Sequence, residues 1–84
     1  MGKVLIIGAG GVGAVVAHKC AQVPEVFSEI VLASRTPEKC VKIKEQVQEL
    51  EGRDITVAQV DAGNPNNVAK LIEGVRPDIV LHVA

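Results

Sequence analysis

Hydrophobic and polar positions alternate between two periods along this chain, and the changes of period mark its elements. Residues 3–7 (KVLII) form a short, branched apolar run ending in glycine, the pattern of a strand buried on both faces. From Val12 the apolar positions Val12, Val16, Cys20 and Val23 recur at spacings of four, four and three until Pro24, so the spacing predicts a helix over 12–23. Residues 29–33 (EIVLA) read as a second strand. Thr36-Pro37 then opens a second helix, with Thr36 as its cap and proline where a missing N–H costs nothing. Cys40, Ile43, Val47 and Leu50 line its apolar side, and Gly52 closes it.

Residues 54–60 read as a third strand, and Asp61-Ala62-Gly63-Asn64-Pro65 is a turn by composition. Asn66 or Asn67 caps a short third helix carrying Val68, Leu71 and Ile72, which Gly74 and Pro77 end. A fourth strand, 78–84, follows. Strands alternating with helices imply parallel β-α-β units with right-handed crossovers. The expected class is α/β, a Rossmann-type doubly wound parallel sheet ordered 3-2-1-4. That is the first part of a 3-2-1-4-5-6 order, so residues 1–84 read as a partial dinucleotide-binding domain. Its fourth strand would be an exposed apolar edge, open to a further domain or to a second copy of the chain.

Composition narrows the partners. Nine Lys and Arg against ten Asp and Glu give a formal charge of -1, and Phe27 is the single aromatic residue. Neither a basic stripe nor a stacking platform is available for nucleic acid. Lys3 precedes an uncharged run through Ala17 that superficially resembles a secretion signal, but Gly8, Gly10, Gly11 and Gly13 interrupt it. No apolar run approaches the roughly 20 residues that a membrane helix needs. Ile6 stands where a myristoylation signal requires Ser or Thr. Cys20 and Cys40 are far apart, with no CxxC and no clustered histidines, so the chain reads as cytoplasmic with buried free thiols and no metal site.

The chemistry is concentrated between the first strand and the first helix. Gly8-Ala9-Gly10-Gly11-Val12-Gly13 matches GxGxxG through Gly8, Gly10 and Gly13. Gly8 serves the tight turn, Gly10 the approach of a diphosphate and Gly13 the packing of helix on sheet. The N–H groups that open the helix face the anion. No Lys-Ser or Lys-Thr follows the glycines, which sets aside the mononucleotide loop. Enzymes that prefer NAD place an acid about 20 residues past the loop to hold the ribose 2′-hydroxyl. Here Arg35 stands 22 positions beyond Gly13, within Ala33-Ser34-Arg35-Thr36. Hydroxyls from Ser34 and Thr36 and the guanidinium of Arg35 suit a 2′-phosphate, so NADP(H) is expected over NAD(H). Asp61 and Ala62, after the third strand, border either an adenine pocket or a simple turn, and Val83 ends the fourth strand beside the cofactor crevice. His82 lies near the same end but reads as packed within its strand, and His18 reads as surface. No catalytic residue is assigned.

The glycine loop and Ala33-Ser34-Arg35-Thr36, extended by 16–22 (VAHKCAQ), Val26-Phe27 and Lys39-Cys40, resemble the N-terminal part of the saccharopine dehydrogenase-like family. The resemblance implies NADPH-dependent reduction of an imine formed from an aldehyde and an amine. In lysine-pathway members these are aminoadipate semialdehyde and glutamate. In polyamine members they are aspartate semialdehyde and diaminopropane or putrescine. Family members continue for several hundred residues into a substrate and dimerisation domain absent from this chain. Two other readings stand beside this one: a stand-alone dinucleotide sensor, which usually carries an acid after the second strand, and a fragment that binds nothing.

Overall fold

A computed structural model describes residues 2–83. Its order is β1 (Lys3–Ile7), α1 (Gly11–Ala21), β2 (Glu29–Ser34), α2 (Pro37–Glu51), β3 (Thr56–Gln59), α3 (Pro65–Val75) and β4 (Ile79–His82). The strands form one parallel sheet ordered β3-β2-β1-β4, the α/β Rossmann arrangement expected from the sequence. β1 is central and Val4 to Ile7 are fully buried, because a strand covered on both faces needs apolar side chains at every position. Alternation along the strands sorts them: Val4, Ile6, Ile30 and Leu32 join one core cluster with residues of α1 and α2. Leu5, Ile7, Val31 and Ala33 join the other, on the side of α3.

α1 buries a face rotated from the predicted stripe: Cys20 is buried and Val16 packs against the core as expected, but the face is centred on smaller residues. Gly13, Ala17, Cys20 and Ala21 are buried, whereas Val12 is 62% exposed. A Cβ at Gly13 would collide with the Gly8 carbonyl, so the helix lies close against the turn that precedes it. Small residues occupy that close approach, and Val12 and Val15 are displaced towards solvent. α2 buries Cys40, Ile43 and Val47 as expected, but Leu50, in its last turn, is exposed.

The remaining differences lie at element ends. β3 and β4 are shorter than predicted, although Val60 N donates to Ser34 O at 2.9 Å and Val83 N donates to Ile7 O at 2.8 Å, continuing the pattern beyond each strand. Ala84 lies outside the described residues. α3 starts at Pro65 rather than after Asn66 or Asn67, because the Asn64 side chain accepts from both of their N–H groups, at 3.0 and 3.3 Å. It ends with Arg76 in the left-handed region at φ 54°, so Gly74 is helical. No residue of α3 is fully buried, and Ile79 and Val80 of β4 are exposed. At the amino ends of the strands, Arg53 donates to the carbonyls of Cys20, Ala21, Phe27 and Ser28, tying the end of α1 to the loop before β2. His18 is less exposed than its sequence position suggests and lies 3.4 Å from Glu51. Cys20 and Cys40 are buried free thiols, and burial pushes both thiols up from their ordinary range.

Candidate functional site

The site is assembled at the carboxyl ends of β1, β2, β3 and β4, the end where an open parallel sheet leaves a crevice. Gly8 turns the chain off β1 with φ +123°, a conformation side chains rarely adopt, and its N–H donates to Ala33 O at 2.8 Å. Gly10 is the residue before α1, and Ala14 N makes the first helical bond to its carbonyl at 3.0 Å. The N–H groups of Gly11, Val12 and Gly13 therefore precede the helical ladder. No side chain caps them and no acid stands in the first turn. An added Cβ at Gly10 or Gly11 would meet nothing within 4 Å, so the loop borders open space of the kind a diphosphate fills. Uncapped donors combined with the positive end of the helix dipole favour an anion there.

A cleft of about 390 Å³ lies beside this loop, lined by Gly8, Ala9, Gly10, Ser34, Arg35, Ala62 and Val83. Six of these seven are residues singled out from the sequence; Ala9, the variable position of the motif, is the addition. Gly11 borders a neighbouring hollow, Gly13 lies buried behind the loop, and Val12 projects its side chain to solvent. Thr36 is half-buried and does not line the cleft. The Ser34 hydroxyl turns back onto Thr36, donating to its carbonyl at 3.1 Å and accepting from its N–H at 2.9 Å. In this conformation Ser34 organises the turn into α2 rather than presenting a donor to the cleft.

Arg35 reaches across the sheet end. Its Nη2 donates to Asp61 Oδ1 at 3.0 Å, and the same oxygen accepts from Gly63 N at 3.0 Å. The side chains are 76% and 47% exposed, so this is a surface ion pair of small intrinsic worth. Hydrogen bonding from Arg35, then from the Gly63 N–H, holds the Asp61 carboxyl below the usual carboxylate range. Asp61 is thus the partner of Arg35 and the pivot of the turn.

Two cations escaped the sequence reading. Lys39 and Lys42 of α2 line a hollow of about 270 Å³ together with Gly10, Gly11 and Ala14, on the other side of the glycine loop. The detectable signal is Lys39 at three positions past Thr36, on the first turn of a helix that starts beside the cleft. Neither lysine has an ion-pair partner among the described residues, so both add to the positive potential around the loop. His82 is exposed at the end of β4. Among the described residues no three His, Cys, Asp or Glu side chains gather as a metal site, and no helix is long and apolar enough to cross a membrane.

Comparison with known proteins gives concordant results. A family model described as the saccharopine dehydrogenase NADP binding domain matches residues 4–84. The chain is 43% identical to a carboxyaminopropylagmatine dehydrogenase of Synechocystis sp., over 100% of this chain and 20% of the relative. It is 42% identical to a carboxynorspermidine synthase of Vibrio cholerae, over 95% of this chain and 20% of the relative. The chain thus spans about a fifth of the length of the curated relatives it matches. Among solved structures, a menthone neomenthol reductase from Mentha piperita superposes with a TM-score of 0.76 at 20% identity, covering 100% of this chain and 32% of the reductase. That likeness speaks to the fold.

Proposed function

The chain belongs to the family of saccharopine dehydrogenase NADP-binding domains, and from that membership we propose that it is the NADP(H)-holding amino-terminal portion of an oxidoreductase that reduces an imine formed from an aldehyde and an amine. The carboxynorspermidine synthase-like reading, within polyamine synthesis, rests on the two relatives above. The observation that carries the cofactor assignment is local: an uncapped helix start, with an arginine where NAD-preferring folds carry an acid.

In this reading the N–H groups of Gly11, Val12 and Gly13 receive the diphosphate. Arg35 meets the 2′-phosphate on the adenosine ribose, and Lys39 reinforces the field. Ala62 and Val83 wall the cleft without competing for hydrogen bonds. The nicotinamide supplies the hydride when bound, and the described residues bind and orient. The groups that hold the imine belong to parts of the protein beyond these residues, in the cytoplasm. The exposed edge of β4 is where a further strand or a second copy pairs.

Titration of the chain with NADPH and NADH, followed by nicotinamide fluorescence or calorimetry, tests the proposal. NADPH binds more tightly, and Arg35→Ala weakens NADPH by roughly 10-fold or more while leaving NADH unchanged, the loss expected for charge-assisted hydrogen bonds. Equal affinity for the two coenzymes in the wild-type chain contradicts the assignment.

A further inference from the structure

We infer that Asp61 is a positioning residue that sets coenzyme preference by holding the Arg35 guanidinium over the cleft before any ligand arrives. This rests on the reading of Arg35 as the contact for the 2′-phosphate. Arg35 lies just past β2 and Asp61 two residues past β3, neighbouring strands whose ends are level in the parallel register. Left alone, an exposed arginine samples many rotamers, and ordering it on a ligand opposes binding. Asp61 is itself anchored, because its Oδ1 accepts from the Gly63 N–H at 3.0 Å within the turn. It is therefore a fixed point rather than a second mobile side chain.

The contact is also sparing. Only Nη2 of Arg35 engages Asp61, at 3.0 Å. A guanidinium has five N–H donors in a planar fork, so one bond to Asp61 leaves the rest for a phosphate oxygen or for stacking along the adenine. A bidentate clamp would have closed the fork. The backbone carbonyl of Arg35 is held separately, accepting from Gln59 Nε2 at 3.4 Å, which fixes the stem of the side chain relative to β3. A carboxylate that served adenine would face the base independently of Arg35; here its bonded oxygen is shared by Arg35 and Gly63.

The test is a double-mutant cycle of Arg35→Ala and Asp61→Asn, read as NADPH and NADH dissociation constants, with circular dichroism to confirm folding. Asparagine retains an acceptor for the Gly63 N–H and removes the charge that holds Arg35. Asp61→Asn alone is expected to weaken NADPH about three- to tenfold, the cost of ordering one long side chain, and to leave NADH unchanged. In the Arg35→Ala background the same substitution has no effect on either coenzyme. Equal weakening of NADPH and NADH makes Asp61 an adenine contact and overturns the inference. Tighter NADPH binding makes it a repulsive neighbour and also overturns it. NADPH binding that depends on Arg35 but not on Asp61 overturns this inference alone, whereas no NADPH binding by the wild-type chain overturns the proposed function with it.

Discussion

Helices α1 and α3 both begin in loops at the carboxyl ends of strands, and they complete their first turns in opposite ways. α3 is closed from within: Asn64 accepts from the N–H groups of Asn66 and Asn67, and Pro65 has no N–H to satisfy. α1 is open: Gly10 has no side chain to cap with, and no side chain caps the N–H groups of Gly11, Val12 and Gly13 at the start of the helix beside the cleft. The backbone dipole is the same in kind at both starts. The residue at the cap decides whether those donors stabilise the fold or await an anion. In α1 the unmet donors coincide with a carbonyl-to-helix approach so close that only glycine fits at position 13.

Three substitutions break or sharpen this contrast. The largest effect falls on Gly13→Ala. Its Cβ would enter the Gly8 carbonyl, and backbone on both sides must shift, so a loss of about 3 kcal/mol or more in urea denaturation is expected. Next is Gly10→Asp, which gives α1 the kind of cap that α3 has. Gly10 has φ -78°, which any residue adopts, and its Cβ position is open. Stability should change by only a few tenths of a kcal/mol. NADPH affinity should fall about 10- to 100-fold, because the new carboxylate takes the donors and repels the diphosphate. Retained affinity in calorimetry would move the anion site away from the helix start. The smallest effect is that of Asn64→Ala, expected to cost about 1 kcal/mol in the same denaturation experiment and to leave coenzyme binding unchanged.

The contrast also explains what was legible in the sequence. Strand order, the sheet's parallel sense and the glycine turn follow from apolar periods and from residues with unique backbone behaviour, so they were readable. The buried face of α1 was legible only in part, through Cys20 and Val16. Periodicity selects the largest apolar stripe, whereas close packing at Gly13 selects the smallest residues, and Ala17 and Ala21 are buried in place of Val12. The start of α3 lies two or three residues before the one that a cap at Asn66 or Asn67 implies, because Asn64, Asn66 and Asn67 are all competent caps, and only geometry shows which side chain reaches which N–H. In the site, the line of Gly8, Gly10, Ser34, Arg35, Ala62 and Val83 around one cleft was foreseeable from topology. The turning of Ser34 onto Thr36, and the contact between Arg35 and Asp61 across 26 positions of chain, were not, since hydrogen bonds between side chain and loop have no periodic signature.

The exposure of Arg35 and Asp61 separates two properties that enzymes often entangle. Neither side chain contributes to the interlocked interior, so under the proposed assignment the choice of coenzyme would rest on a removable fitting on an indifferent frame. Exchanging those fittings leaves the scaffold's resistance to unfolding nearly untouched. On that assignment, a change of electron donor at these two positions would need no sturdier core beforehand.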